Sequence, residues 1–153
     1  MVNDIYEDVK APAPTQLADR LRPVLLKLAR ELRHEVHELG VTGGQVGLLV
    51  QIRKHDGIGA RDLAKLERVS PAAMSGYIDR LEKAGLVTRV RDESDRRRQV
   101  LALTQQGDEV LRIVRSRRTA WLATRLKRLS PQDRVAVAQA IEPLLRLLDE
   151  GAE

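Results

Sequence analysis

Arg89-Val90-Arg91-Asp92-Glu93-Ser94-Asp95-Arg96-Arg97-Arg98-Gln99-Val100-Leu101-Ala102-Leu103-Thr104 is the stretch on which the fold turns. Leu86 to Arg91 reads as a strand and Val100 to Leu103 as its hairpin partner. The tip between them holds acids followed by three arginines. Directly upstream lies a short helix that opens at Ser70-Pro71 and closes at Gly85. A compact helix followed by a hairpin with a basic tip has a shape suited to the grooves of DNA.

In the upstream helix Ser70 is the N-cap, and Pro71 stands in the first turn, where proline costs least. Met74, Tyr77, Ile78 and Leu81 form its apolar face, and Gly85 supplies a left-handed C-cap. Before it, past an Asp56-Gly57 turn, Gly59 to Leu66 reads as a shorter helix with Leu63 and Leu66 inward. Two short helices joined by a tight turn make a helix-turn-helix. Thr42-Gly43-Gly44-Gln45 has capping-box spacing and opens a helix through Val46, Leu48, Leu49 and Ile52 to about His55.

Longer helices flank this unit. Leu17, Leu21, Val24, Leu25, Leu28, Leu32 and Val36 recur at helical spacing from about Thr15 to Leu39, and Gly40 ends the run. Thr104 caps a helix over about 105–129, with Val110, Leu111, Val114, Trp121, Leu122 and Leu126 inward. Ser130-Pro131-Gln132-Asp133 caps the last, whose apolar positions are Val135, Val137, Ile141, Leu144, Leu145 and Leu148. Residues 1–13 read as a flexible arm. The expected class is mainly α with a small β-hairpin wing.

A chain of 153 residues fits one domain. The formal net charge of +5 is concentrated in the middle, where residues 53–98 carry 12 basic and 8 acidic side chains. Attraction to a polyanion would be strongest there. The absence of cysteine excludes disulfides and thiolate metal sites. No stretch approaches the ~18 apolar residues of a membrane span, and the acidic N-terminus lacks a signal peptide's apolar run. A soluble cytoplasmic protein is the expectation. No GxSxG, phosphate loop or HExxH occurs, so no enzyme and no cofactor are expected. His34 and His37 lie one turn apart without an evident third ligand, which reads as charge decoration and not as a metal site.

On the helix after the turn, Ser70, Pro71, Ala72, Ser75 and Gly76 are small. Small side chains let the backbone lie close to base edges, and the free N–H groups of that end favour phosphate. Ser75 has the chemistry to bond a base or a phosphate, and Ala72 to meet a thymine methyl. The alternative is a short core helix in a bundle. Of Arg96, Arg97 and Arg98, one or two should project into a narrow minor groove. Asp92, Glu93 and Asp95 would then hold an arginine in place; the alternative is a solvated charge cluster. Arg117 and Arg118 of the long basic helix read as a solvated face that pairs with acids of a dimer partner; the alternative is contact with an anionic ligand or the DNA backbone. The outer helices carry more apolar face than one small winged unit can cover, which points to an interdigitated homodimer.

Leu63-Ala64, then Asp79-Arg80-Leu81-Glu82-Lys83-Ala84-Gly85-Leu86-Val87 with Arg89, then Asp95-Arg96-Arg97, then Leu103-Thr104-Gln105-Gln106-Gly107 resemble the MarR family of winged helix-turn-helix regulators. The resemblance covers nearly the whole chain. It implies a single domain over 14–153, with a winged helix-turn-helix at about 42–104 and dimerisation helices at about 14–39 and 105–150. It also implies that Ser70 to Gly76 face bases, that Asp95 and Arg97 are the wing pair whose arginine enters the minor groove, and that Arg96 and Arg98 add charge beside it. Arg80 falls in the Asp-Arg-Leu element, either as a phosphate contact or as a structural ion pair. Many members carry a basic or larger polar residue where this chain has Gly76, so readout here would rely more on shape. The implied activity is a repressor released from a palindromic operator in double-stranded DNA by a small effector, such as a phenolic or aromatic acid. A ligand-independent architectural DNA binder and a winged helix used for protein contact are the rival readings.

Overall fold

The computed structural model describes residues 11–148. The arm expected over 1–13 therefore lies outside the described residues up to Lys10, as do the last positions, 149 and 150, of the segment expected to run to about 150. Six α-helices and one antiparallel hairpin follow in order among the described residues: α1 Pro14–His34, α2 Gly43–Lys54, α3 Ala60–Leu66, α4 Pro71–Lys83, β1 Val87–Arg91, β2 Gln99–Leu103, α5 Gln105–Leu126 and α6 Pro131–Arg146. This is the winged helix architecture that the caps and periodicity predict.

Local chemistry sets the boundaries. The Thr42 hydroxyl accepts from the Gln45 N–H at 3.2 Å while the Gln45 side chain accepts from the Thr42 N–H at 2.8 Å, so the capping box is complete. Ser70, Thr104 and Ser130 cap α4, α5 and α6 in the same manner through their hydroxyls. One boundary differs. α1 ends at His34, and a 3₁₀ turn over His37–Leu39 leads to Gly40 in the left-handed region. The tighter turn carries Val36, wholly buried, and Leu39 onto the core.

That core is assembled from Val46, Leu49 and Ile52 of α2, Leu63 and Ala64 of α3, Met74, Ile78 and Leu81 of α4, Leu86 and Val87, Leu101 of β2, and Leu111 and Val114 of α5. Three expected core residues lie elsewhere. Leu66 is exposed in the last turn of α3, and Ala64 is buried instead. Tyr77 is also exposed, because the buried face of α4 is the 74–78–81 stripe and residue 77 falls on its margin. Leu122 of α5, expected inward, is exposed too.

The base of the wing is stapled to both neighbouring helices. β1 and β2 pair from Val87↔Leu103 to Arg91↔Gln99. The Thr104 hydroxyl donates to the Gly85 carbonyl at 2.6 Å and accepts from the Gly107 N–H at 3.0 Å. The Thr104 N–H donates to the Leu86 carbonyl at 3.1 Å. Gly107 packs so closely on that carbonyl that a Cβ would collide with its oxygen. A third segment joins the sheet edge where the Leu101 N–H donates to the Ile58 carbonyl at 2.9 Å.

The outer helices behave differently. No residue of α1 or α6 is buried within the chain. Leu17, Val24, Leu25 and Leu28 on α1, and Val135, Ile141, Leu145 and Leu148 on or after α6, are exposed.

Two glycines make a paired test of this packing. Gly107→Ala should destabilise the fold by about 1–3 kcal/mol or more, since the methyl meets backbone and not a flexible side chain. Gly76→Ala, on a helix surface with open space around it, should stabilise by up to about 1 kcal/mol. Denaturant unfolding of both variants measures the contrast, and equal effects would contradict it.

Candidate nucleic-acid interface

The first turns of α4 present Ser70, Pro71, Ala72, Ser75 and Gly76 at the surface. The Ser70 oxygen accepts from the Ala73 N–H at 3.2 Å, so one acceptor site on it is committed to the cap. Gly76 has nothing within 4 Å of its missing Cβ. The result is a low, open face on which the helix backbone is accessible.

Arg80, one turn further on, forms no ion pair among the described residues. Its guanidinium carbon stands 5.1 Å from the centre of the Tyr77 ring, a cation–π arrangement that directs the charge along the helix surface. Both side chains border a cavity of about 470 Å³ whose floor includes Leu48, Val69 and Met74.

The structural ion pair of this element belongs to a different arginine. Arg89 of β1 reaches Asp79 at 2.9 Å and Glu82 at 3.0 Å, one carboxylate to each end of its guanidinium. Asp79 and Glu82 are three residues apart and so share a face of α4. Arg89 thereby fixes the angle between the hairpin and the helix. The sequence shows these residues as a pattern, and the contact between them appears only in the fold. Its signal was the acidic pair at i, i+3 ahead of a strand arginine.

At the wing tip the acids act mostly on backbone. Asp92 accepts from the Ser94 hydroxyl at 2.7 Å and the Ser94 N–H at 2.8 Å. Asp95 accepts from the Arg97 N–H at 3.0 Å, so it shapes the turn that carries Arg97 without touching its guanidinium. The Asp92 N–H donates to the Arg98 carbonyl and the Arg98 N–H to the Asp95 carbonyl, at 3.0 and 2.8 Å. Arg96 and Arg97 are exposed and free of ion pairs among the described residues. Arg98 is not: its guanidinium turns back to Asp62 of α3 at 2.7 Å. One or two tip arginines were expected to project, and two, Arg96 and Arg97, are without a carboxylate; Arg98, expected to add charge beside them, is paired because a carboxylate lies within reach.

The basic helix α5 is also corrected. Arg117 pairs with Glu38 of its own chain at 2.9 Å, and Arg118 donates to the Leu32 carbonyl at 3.1 Å. These contacts hold α5 against the end of α1. Burial pushes the Arg118 guanidinium below its ordinary value. A second cavity of about 360 Å³ opens among α1, α2 and α5, walled by Leu32, Val46, Leu111 and Leu122 and bordered by Arg53, Arg115 and Arg118. His34 and His37 have ring centres 5.5 Å apart. No cluster of three metal-ligating side chains occurs among the described residues, and no helix there is long and apolar enough to cross a membrane.

Hydrogen bonds from Ser94, the hydroxyl foremost, hold the Asp92 carboxyl below its ordinary value. The tip turn is therefore fully supported at neutral pH. That support falls away as pH drops from the ordinary ~3.9 through the lower native value. The Ser94 amide resonance followed by NMR should titrate with a midpoint below ~3.9, and a midpoint above it would contradict the assignment.

Comparison with known proteins agrees with this geometry. A family model described as the MarR family matches residues 41–98, which run from the start of α2 through the wing tip and leave out β2 and the outer helices. An uncharacterized HTH-type transcriptional regulator of Mycobacterium leprae is 30% identical over 136 residues, covering 89% of this chain and 95% of the relative. The HTH-type transcriptional repressor MdtR of Bacillus subtilis is 30% identical over 118 residues, covering 77% and 76%. Among solved structures, RV1404 from Mycobacterium tuberculosis superposes with a TM-score of 0.80 at 26% identity, over 96% of this chain and all of that one.

Proposed function

The chain belongs to the MarR family of transcriptional regulators, and from that premise we propose that it is a homodimeric repressor that reads a palindromic operator and is released by a small aromatic or phenolic acid. The observation that carries the reading is the pairing of an open α4 face with two unpaired arginines on a wing whose angle to α4 is fixed by Arg89. Winged helices of this kind bind DNA, not substrates, and the chain is not an enzyme. Ser70, Pro71, Ala72, Ser75 and Gly76 are assigned to the major groove. Arg80, with no carboxylate partner among the described residues, is assigned to phosphate. Arg97 is assigned to the minor groove, with Asp95 shaping its turn and Arg96 adding charge.

The winged unit spans about 42–104, and the segments at about 14–39 and 105–150 form the dimer. Support comes from the apolar faces of α1 and α6, which nothing among the described residues covers. A two-fold dimer sets its recognition helices roughly ~34 Å apart, one duplex turn. Repression is supported by the likeness to a B. subtilis repressor. The second reading, a weakly specific architectural binder, is favoured by one feature: Ala72, Ser75 and Gly76 offer few donors for base readout.

In-vitro selection of bound DNA separates the two. A palindrome is expected, and selection of no sequence over any other would leave the architectural reading. On the selected site Arg97→Ala should cost at least ~1 kcal/mol of affinity, as loss of a groove contact does. Unchanged affinity would remove the wing from the interface.

The effector is assigned to the cavity among α1, α2 and α5. Its walls are apolar, as an aromatic ring requires, and Arg115 on its border has no ion pair among the described residues. Occupancy there would favour a dimer with wrongly spaced recognition helices. Titrating salicylate or benzoate into the operator complex should release DNA, and Arg115→Ala should raise the concentration required. No release by any aromatic acid would count against ligand control.

A further inference from the structure

We propose that Arg98 and Asp62 form a latch that positions the wing, so that Arg98 serves the DNA complex without being one of its contacts. The proposal rests on the reading that Arg97 enters the minor groove, and extends it to a residue pair 36 positions apart in the chain.

The guanidinium of Arg98 donates to Asp62 at 2.7 Å, bridging the C-terminal arm of the wing tip to the first turn of α3. Both ends are anchored. Asp62 lies at the start of α3, where a negative charge is favoured by the free N–H groups of the helix. Arg98 lies in the tip turn, its N–H on Asp95 and its carbonyl on Asp92. Immediately after it, β2 is tied to the same region of the chain, since the Leu101 N–H donates to the Ile58 carbonyl. A hairpin carried only by its two strands would be free to swing about its base. The Arg89 contacts restrain it from the α4 side, and the Arg98–Asp62 pair restrains it from the α3 side. The tip that carries Arg97 is thus held between the two helices of the helix-turn-helix.

The sign of one substitution distinguishes a latch from a phosphate contact. Near DNA, removing an acid ordinarily tightens binding, because it removes repulsion from phosphate. Were Arg98 a phosphate contact restrained by Asp62, Asp62→Asn would free it and strengthen binding further. The latch predicts the reverse. Asp62→Asn and Arg98→Ala should each weaken operator binding about two- to fivefold, the range of a half-exposed ion pair. The double variant should be no weaker than the weaker single one.

The experiment measures operator affinity for these three variants in the wild-type and Arg97→Ala backgrounds. It also measures 15N order parameters for residues 92–98 in the free full-length protein. A latch acting through Arg97 loses most of its effect once Arg97 is gone, and Asp62→Asn lowers the order parameters of the tip without DNA present. Tighter binding by Asp62→Asn, additive losses with Arg97→Ala, or an equally ordered tip in Asp62→Asn would each overturn it. Should Arg97→Ala itself leave affinity unchanged, the groove contact fails while the order parameters still decide whether the pair holds the wing.

Discussion

The close approach of Gly107 to the Leu86 carbonyl is the contact on which the rest of the molecule depends. It permits the first turn of α5 to sit on the exit of α4 with no side chain between. The Thr104 hydroxyl then bridges the Gly85 carbonyl and the Gly107 N–H, so three groups that would otherwise need water are satisfied by one another. The C-terminus of α4, both strands at their base and the N-terminus of α5 are joined at one point. Gly85 takes a φ of 70° there, a conformation that suits glycine and turns the chain from helix to strand.

From that junction the two DNA-facing parts depart at a fixed angle. Charge, not apolar packing, sets the angle further out. Arg89 takes both carboxylates that α4 offers on the hairpin side, and Arg98 takes one from α3. On α4 and the hairpin, Arg80, Arg91, Arg96 and Arg97 are left without carboxylates among the described residues, and an external anion is the partner open to them. Burial of apolar surface therefore builds the platform, and the allocation of acids to bases decides which positive charges remain to act outside it.

Much of this was legible in the sequence, for a physical reason. Helix starts are written in adjacent residues: Thr42 with Gln45, Ser70 with Pro71, Thr104, and Ser130 with Pro131 all act within one turn. The stripes of α2 and α5 repeat at helical spacing, so their buried faces could be counted. Partners distant in sequence could not. Nothing near Arg98 indicates Asp62, and nothing near Arg117 indicates Glu38. Both pairs depend on how elements stack. Hydrophobicity alone predicts Leu66 and Tyr77 inward, but each lies at an element's end or margin, where the stripe no longer faces the core. The cavities were invisible for the same reason, since their walls come from three or more elements.

The bare flanks of α1 and α6 carry a consequence of another kind. Neither helix buries a residue in its own chain, and a helix with so little tertiary packing is marginal in water. In the proposed dimer the order of these segments would be owed to a second copy, and the folded state would be a bimolecular product. For such a dimer, the rate of its own synthesis would enter the folding equilibrium as a concentration. Expression level and conformational stability cease to be separate variables, and a promoter controlling this chain sets how much of it is made and what fraction is able to bind.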